Sequence, residues 1–202
     1  MRTTFDCMGC EMTLDVADPR ASREARRLLE RFDTCLSRFD PASELSRLNG
    51  DPRATVPASL LLRSAVRAAL WAAERSGGLV DPTLLPALEA QGYGASLAGA
   101  APPSLRAALA TAPARQPARP HPGARWRTIA IDDTRGTIAR PPGLALDSGG
   151  STKGLAADAA AHLLEDHAGY VVDCGGDLRV CTPEPIDVSV EHPLTGAVAH
   201  TL

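Results

Sequence analysis

The segment from Leu146 to Gly154 contains the residues best suited to chemistry. It reads Leu-Asp-Ser-Gly-Gly-Ser-Thr-Lys-Gly and continues into an alanine-rich stretch at 155–165. Ser and Thr are common N-cap residues and alanine is the strongest helix former, so the pattern predicts the start of a helix. A helix start offers unpaired N–H groups and a partial positive charge, to which Lys153 adds a full charge. This combination favours an anionic ligand such as a phosphate group.

Two common phosphate motifs do not fit this segment. A P-loop needs Ser or Thr after its Gly-Lys pair, whereas Lys153 is followed by Gly154. The dinucleotide fingerprint spaces its glycines as Gly-x-Gly-x-x-Gly, which is not the spacing here. An ordinary glycine-rich helix entrance is the plainer alternative. Lys153 argues against it, because a cation in the first turn opposes the helix dipole unless an anion is bound there.

Further motifs lie on both sides of this segment. They are Cys7-Met-Gly9, Phe39-Asp-Pro-Ala-Ser-Glu-Leu-Ser-Arg-Leu-Asn49, Gly77-Gly-Leu-Val-Asp-Pro-Thr83 and Tyr170-Val-Val-Asp-Cys-Gly-Gly-Asp177. In this order they resemble the motifs of the FAD:protein FMN transferases, the ApbE-type flavin transferases. The resemblance covers roughly Met8 to His192. Each motif alone is weak, and the ordered set carries the resemblance.

The resemblance implies roles for individual residues. The residues that would contact FAD are Met8, Phe39, Leu79, Val80, Asp81, Asp147 and Lys153, the last at the phosphates. The backbone carbonyl of Gly150 would be one ligand of a magnesium ion, a hard cation that prefers oxygen and bridges substrate phosphates. No catalytic residue is assigned. Asp81 and Asp147 also have plainer interpretations, as a helix cap and as a turn residue.

The resemblance also implies a reaction. A complete family member would use Mg²⁺ to cleave the diphosphate of FAD, transfer FMN to a Thr or Ser hydroxyl of a partner flavoprotein, and release AMP. Such transfer depends mainly on positioning and charge neutralisation. One alternative is a catalytically impaired FAD-binding remnant that lacks part of the metal site. Another is a poorly folded fragment without activity.

The length leads us to expect a C-terminally truncated member of this family. We expect one flavin-transferase domain over 1–202, corresponding to the N-terminal two thirds of the family's usual length. The family's A-T-S-G and H-x-I-D-P-x-T-G segments do not occur in the sequence. His192-Pro-Leu-Thr-Gly196 resembles the second segment only superficially, because it lacks Ile-Asp and comes too early.

The composition limits the classes of partner and compartment. With 202 residues, 44% of them hydrophobic and 22% charged, the chain suits one globular domain. A net charge of −3 and 3% aromatic residues argue against general nucleic-acid binding. No stretch approaches about eighteen apolar residues, so no transmembrane segment is expected. Because no signal peptide or lipobox cysteine is seen, we expect a cytoplasmic protein.

The cysteines include one pair with a spacing used for metal or redox chemistry, Cys7-Met-Gly-Cys10. A structural zinc site needs a second close pair, and Cys174 with Cys181 is not one. A thioredoxin-like site needs a helix after the pair, whereas 11–16 reads as a strand. A structural or incidental role is therefore favoured over a metal or redox role.

The elements that must position these residues predict an α+β fold, with a mixed or antiparallel sheet packed with helices. Helices are predicted at 20–37, 58–76, 84–91, 104–112 and 156–164, and strands at 11–16, 127–132, 136–140, 170–173, 178–181, 186–191 and 197–202. The strand at 186–191 alternates as a half-buried strand does. Residues 113–125 read as an exposed Pro/Arg-rich loop. Leu62, Val66 and Leu70 are predicted in the core, and the core is also the favoured place for Trp71.

Overall fold

The computed structural model describes residues 1–96, 104–114, 116–192 and 195–202. Its helices are α1 (Pro19–Leu36), α2 (Glu44–Gly50), α3 (Leu60–Arg75), α4 (Leu85–Ala90), α5 (Leu105–Thr111) and α6 (Thr152–Leu163). Its strands are β1 (Arg2–Cys7), β2 (Cys10–Val16), β3 (Thr55–Pro57), β4 (Ala130–Asp132), β5 (Thr137–Ala139), β6 (Tyr170–Cys174), β7 (Leu178–Cys181), β8 (Ser189–Glu191) and β9 (Val198–Thr201). None of the described helices is long and apolar enough to span a bilayer.

The strands form three sheets, and every pairing among the described strands is antiparallel. The largest sheet has the order β1-β2-β6-β7, a second has the order β3-β5-β4, and β8 pairs with β9. In the largest sheet, β2 brings residues from the start of the chain next to β6, with Met12 opposite Cys174. The predicted α+β class is confirmed, and the sheets are antiparallel.

A tight hairpin begins the chain. Cys7 and Cys10 face each other across β1 and β2, so only two residues form the turn. Met8 and Gly9 both have positive φ, of 50° and 73°. These signs are typical of the type I′ turn, whose twist matches that of the flanking strands. The C-x-x-C spacing is therefore that of a two-residue hairpin, and β1 is a strand that the sequence analysis did not predict.

The core lies between the β1-β2-β6-β7 sheet and the helices α1 and α6. Fully buried side chains of Met12, Leu14 and Val172 project from the sheet toward Leu29 of α1. The face of α6 that packs there is built from alanines, including the fully buried Ala156. Small side chains let the helix backbone approach its neighbours closely, which fixes the position of its first turn.

The position of Trp71 was predicted wrongly. Its side chain is 63% exposed, whereas Leu62 and Val66 of the same helix are buried as predicted. Trp71 follows Leu62 by nine residues, which at about 100° per residue places the two on opposite faces of the helix. The buried stripe instead continues through Ala69 and Ala73.

The predicted half-burial of the strand at 186–191 is also wrong. The strand is shorter, Ser189–Glu191, and every residue of it is exposed. The reason is its pairing, since β8 is bonded only to β9 and belongs to neither of the other sheets. Of the predicted turn between these strands, 193–194 lie outside the described residues.

Helix α2 is held between two other elements by its first residue, Glu44. The carboxylate accepts hydrogen bonds from the backbone N–H of Ser59 at 2.6 Å and from the Ser59 hydroxyl at 2.5 Å. It also accepts one from the Cys35 thiol at 3.1 Å. Burial alone raises the pKa of Glu44, but the hydrogen bonds from Ser59 and Cys35 outweigh it and hold the pKa below its usual value. The carboxylate therefore joins the end of α1 to the start of α3.

The other end of α2 is held by a buried arginine, Arg140, which follows β5. Its guanidinium donates to the carbonyl oxygens of Leu48 and Asp51. A cation on the last carbonyls of a helix is electrostatically favourable. Burial lowers the pKa of Arg140, while Asp51 opposes that effect. Arg140 thereby fixes α2 against the β3-β5-β4 sheet.

We expect Glu44→Gln to lower the free energy of unfolding by about 1–2 kcal/mol at neutral pH, because a charge-assisted acceptor is lost. The lowered pKa of Glu44 means that its contribution is present above the unfolded pKa of about 4.3 and is lost as pH falls through the folded value. The difference between the two proteins in urea unfolding should therefore shrink below about pH 4.3.

The matched control is Glu30→Gln, which removes an exposed pair with Arg26 within α1. It should change stability by about 0.5 kcal/mol or less. A Glu44→Gln effect that is equal at pH 7 and at acid pH would contradict the assignment.

Candidate functional site

Two turns and one helix start meet at one end of the β1-β2-β6-β7 sheet. Because β2 pairs with β6, the Met8-Gly9 turn and the turn at Gly175 lie at the same end of the sheet. A Cβ atom on Gly175 would lie 2.5 Å from the Cys10 sulfur and 3.4 Å from the Lys153 nitrogen. Gly175 also has φ of +68°. Only glycine fits, because a Cβ atom would collide with the Cys10 sulfur; the Lys153 ammonium lies beside this position.

The loop before α6 is organised by one carbonyl group. The Ser148 oxygen accepts hydrogen bonds from the backbone N–H groups of Ser151 at 3.0 Å and Thr152 at 2.9 Å. The buried Thr152 hydroxyl donates to the same oxygen at 2.8 Å. Ser151 occupies the N-cap position but its side chain makes no capping hydrogen bond. The helix start is therefore closed by Ser148, not by the predicted cap residues.

This closure leaves backbone groups at the helix start without partners. Among the described residues, the N–H groups of Lys153 and Gly154 donate to no acceptor, and neither do those of Gly149 and Gly150. The Gly150 carbonyl accepts no hydrogen bond from any described residue. Gly149 and Gly150 are both exposed. The loop thus presents several N–H donors to solvent, as an anion-binding loop does.

Lys153 adds a charge that no other described side chain neutralises. Its ammonium makes no ion pair and no hydrogen bond within the part of the chain that the structure describes. It is also the only lysine of the chain, which has twenty arginines. A compact ammonium fits beside Gly175 at the 3.4 Å separation from its Cβ position. A planar guanidinium is larger and would need more space there.

Asp147 is held by a buried arginine that precedes α2. The Arg38 side chain is 6% exposed and its Nε lies 3.4 Å from the Asp147 carboxylate. The guanidinium lies against two rings that also contact each other, 4.2 Å from the centre of Phe39 and 4.4 Å from that of Tyr93. It also donates to the Tyr93 carbonyl at 2.7 Å. Arg38 therefore joins Phe39 and Asp147, two residues that the sequence analysis expected to contact FAD.

Asp81 is linked to Asp147 through the next residue in the chain, Pro82. The Pro82 carbonyl accepts the N–H of Asp147 at 2.8 Å. One oxygen of Asp81 accepts from the N–H of Thr83 at 2.8 Å and from its hydroxyl at 2.6 Å. The other oxygen is buried and has no hydrogen-bond partner. Asp81 does not cap α4, whose N-cap is Leu84.

An unpartnered buried carboxylate oxygen is costly, since the group loses its hydration without compensation. The free oxygen of Asp81 is therefore suited to a donor that arrives with a ligand. Leu79 and Val80 precede it with side chains that are 55% and 38% exposed.

Asn49 is a positioning residue that the sequence analysis did not single out, although it ends the Ser-Glu-Leu-Ser-Arg-Leu-Asn motif. Its side-chain amide donates to the Leu146 carbonyl at 2.8 Å and accepts the Leu146 N–H at 2.8 Å. Both polar groups of the residue before Asp147 are thus bound to α2. The motif could have indicated this role, but its last residue was used only as evidence of a family resemblance.

The sequence-predicted residues therefore form two groups. Phe39, Asp81 and Asp147 lie in one group around Arg38 and Pro82, while Met8 and Lys153 lie at the end of the sheet. The loop that contains Gly150 joins the two groups. Leu79 and Val80 flank Asp81 on the surface. The roles of these residues toward FAD and magnesium stay predictions.

The buried cysteines Cys7 and Cys174 at this end of the sheet are poor nucleophiles. Burial raises the pKa of Cys174 to about 12, with a further contribution from Asp173. Burial together with Asp33 and Glu30 raises the pKa of Cys7 to about 12. Both thiols are therefore protonated at neutral pH. Within the described ranges, no group of three or more His, Cys, Asp or Glu side chains could hold a metal ion.

Comparison with known proteins gives this geometry a family. The sequence model of the ApbE family matches residues 8–202. The fold is similar to that of a flavin transferase ApbE from Vibrio cholerae, with a TM-score of 0.72, 22% identity, and coverage of 96% of this chain and 64% of that one. It is similar to the ApbE protein from Thermotoga maritima, with a TM-score of 0.75, 22% identity, and coverage of 100% of this chain and 66% of that one.

A third similar structure is the flavinyl transferase ApbE of Pseudomonas stutzeri in its apo form. The TM-score is 0.72 and the identity 22%, over 95% of this chain and 62% of that one. No curated protein sequence matches the chain. The chain belongs to the ApbE family. It spans slightly less than two thirds of the length of these structures.

We expect Asn49→Ala to release the loop before α6, because the polar groups of Leu146 lose both partners. The free energy of unfolding should fall by about 1–3 kcal/mol. Hydrogen exchange at the Leu146 amide should accelerate more than global destabilisation explains.

Asn49→Asp is the informative companion variant. It keeps an acceptor for the Leu146 N–H but opposes the Leu146 carbonyl with a carboxylate. Its stability should therefore recover as pH falls and the carboxyl group becomes a donor. Equal Leu146 exchange in the wild type and in Asn49→Ala would contradict the assigned role.

Proposed function

We propose that the protein transfers FMN from FAD to a Thr or Ser hydroxyl of an acceptor flavoprotein, with Mg²⁺ and with release of AMP. Membership of the ApbE family supports flavin transfer. The observation that carries the proposal is the start of α6, where the unpaired ammonium of Lys153 lies next to N–H groups that have no acceptor. That arrangement has the charge and donor pattern that a diphosphate requires.

Different residues of the chain would bind different parts of FAD. The Lys153 ammonium and the N–H groups of Lys153 and Gly154 would bind the diphosphate oxygens. The free buried oxygen of Asp81 would accept a hydrogen bond from a donor group of the flavin or the sugar. Asp147, which is oriented by Arg38, would accept a second hydrogen bond from the ligand. Phe39 would pack on the ligand with a ring that is 36% exposed.

One oxygen near the helix start, the Gly150 carbonyl, suits a magnesium ion that is held mainly by substrate and water. The exposed Gly150 carbonyl has no hydrogen-bond partner among the described residues and can act as a hard ligand. Mg²⁺ usually binds through one or two protein oxygens, waters and substrate phosphates, so a side-chain cage is not required. When bound, the ion supplies charge neutralisation on the phosphate that is attacked. Gly150 would contribute its carbonyl to that site, and Lys153 would neutralise negative charge on the diphosphate.

Positioning is the main contribution of the described residues to this reaction. The Ser148 carbonyl and the Asn49 amide fix the loop on both sides of Asp147, so the donors need little reorganisation when the ligand binds. Preorganised donors aimed at phosphate oxygens are the largest catalytic effect in such transfers. The residue that activates the acceptor hydroxyl is not assigned.

We expect Lys153→Ala to weaken FAD binding by about 10–100-fold, the value of a charge-assisted hydrogen bond of about 1.5–3 kcal/mol. Lys153→Arg should recover only part of this loss, because a planar guanidinium places its charge and donors differently from an ammonium. Quenching of flavin fluorescence measures the affinity, and AMP release in the presence of Mg²⁺ and an acceptor flavoprotein measures the transfer.

The control is Arg135→Ala, which removes an exposed charge from the β4–β5 turn. It should leave FAD affinity unchanged. Binding of FAD without AMP release would favour an FAD-binding protein without transfer activity. Equal FAD affinity in the wild type and in Lys153→Ala would overturn the proposal.

A further inference from the structure

Both tryptophans of the chain line one groove, beside the C-terminal half of α3. The groove has a volume of about 580 Å³ and is lined by Arg67, Leu70, Trp71, Glu74, Trp126, Arg127 and Ile129. Trp71 is 63% exposed, whereas Trp126 is buried to 9% exposure and forms the floor. We call this surface the tryptophan groove. None of its residues belongs to the site around Lys153.

One arginine of the tryptophan groove, Arg127, and one beside it, Arg75, lie over the indole rings. The Arg127 guanidinium lies 5.0 Å from the centre of the Trp126 ring, and that of Arg75 lies 5.9 Å from the centre of the Trp71 ring. Neither arginine forms an ion pair with any carboxylate of the described residues. Their charges are therefore available to a partner.

The other charged groups of the groove do not neutralise the positive charges of Arg75 and Arg127. Arg67 is already paired with Asp133 at 2.6 Å, and Asp133 is shared with Arg63. Glu74 is the only acidic residue of the lining. With Arg75 and Arg127 uncompensated, the rim of the groove is positive although the whole chain has a net charge of −3.

The groove also adjoins the segment that leads to Asp81. Helix α3 ends at Arg75, and Gly78 follows with a positive φ of 88°. A Cβ atom on Gly78 would lie 3.5 Å from the indole nitrogen of Trp126. The chain then continues directly through the exposed Leu79 and Val80 to Asp81. The segment between Gly78 and Asp81 therefore connects the tryptophan groove to the proposed flavin site along the chain.

The shape and composition fit a protein segment better than a small molecule. A small-molecule pocket encloses about 70–90% of its ligand, whereas one wall of this groove is a tryptophan with most of its surface in solvent. Trp and Arg are the residue types most enriched at the energetic centres of protein interfaces. An exposed indole beside Leu70 and Ile129 offers an apolar anchor point, and the two arginines offer sites for carboxylates.

We propose that the tryptophan groove docks an acidic segment of the acceptor protein. An aliphatic side chain of that segment lies against Trp71 and Trp126, and its carboxylates pair with Arg75 and Arg127. Docking there would hold the acceptor near the segment between Gly78 and Asp81, which leads along the chain to the proposed flavin site. The identity of this partner rests on the proposed flavin transfer, but docking itself requires no flavin.

Docking is measured by intrinsic fluorescence without flavin, because both fluorescent indoles lie in the groove. The probe is a blocked peptide of alternating glutamate and leucine, and its control has glutamine in place of glutamate. We expect a saturable change in tryptophan emission with the glutamate peptide that weakens as salt increases. Equal binding of the two peptides, or binding of neither, would overturn the charge-based docking.

Variants test the assignment to individual residues. Arg127→Gln and Arg75→Gln should each weaken peptide binding about fivefold or more. Trp71→Ala should weaken it to a similar degree, with binding measured by the emission of the remaining tryptophan, Trp126. Since all three side chains are exposed or at the rim, the variants should fold. Arg23→Gln, an exposed arginine on α1, is the matched control and should bind as the wild type does. Unchanged binding in Arg127→Gln and Arg75→Gln would contradict the proposal.

Transfer kinetics separate this inference from the proposed function. With an acceptor flavoprotein, Arg127→Gln should raise the KM for the acceptor and leave FAD affinity unchanged. Loss of AMP release in every protein, with peptide binding intact, would contradict the flavin transfer and not the docking. Saturable quenching by AMP that competes with the peptide would assign the groove to a nucleotide and overturn the docking.

Discussion

The two hydrogen bonds between the Asn49 amide and the backbone of Leu146 are the constraint on which the rest of the site depends. They join residues 97 positions apart in the chain. On one side, α2 is fixed by Glu44 and Arg140, so Asn49 has little freedom. On the other side, Leu146 begins the loop that carries Asp147 and ends at Lys153. Without this link, the loop would be held only by the Ser148 turn and by the contacts of Asp147 with Arg38 and Pro82.

The glycine at the end of the sheet, beside Lys153, follows from one steric fact. The Gly175 position is closed to a Cβ atom by the Cys10 sulfur, and the Lys153 ammonium occupies the space that remains. The helix dipole disfavours a cation at that place, and the Lys153 ammonium forms no ion pair with a described side chain. Such a local cost is typical of binding sites, where the ligand supplies the missing interaction.

Local signals in the sequence predicted a large part of the fold. Asp18 with Pro19 marked the start of α1, and Gly77-Gly78 marked the end of α3, because caps and left-handed stops depend on neighbouring residues alone. The β6–β7 hairpin was found for the same reason. The exposed Trp71 was missed because a large aromatic side chain suggests burial, although its angular position on α3 pointed to solvent.

The residues that organise the site could not be predicted in this way. Asn49 and Arg38 act on Leu146 and Asp147, which are about a hundred residues later in the chain. A single sequence shows the type of a side chain but not which distant backbone group it will meet. The motif around Lys153 was recognised because its chemistry lies within nine consecutive residues. The proximity of Gly175 and Cys10 to Lys153 could not be predicted without knowing which strands pair in the sheet.

Because Lys153 is the only lysine, an amine-reactive reagent tests the central claim with little interference. The modification of Lys153 is measured by peptide mass spectrometry, with the amino group of Met1 as the internal reference. If the ammonium binds the diphosphate, FAD should protect Lys153 strongly, while riboflavin, which has no phosphate, should not. Equal modification of Lys153 with and without saturating FAD would contradict the account.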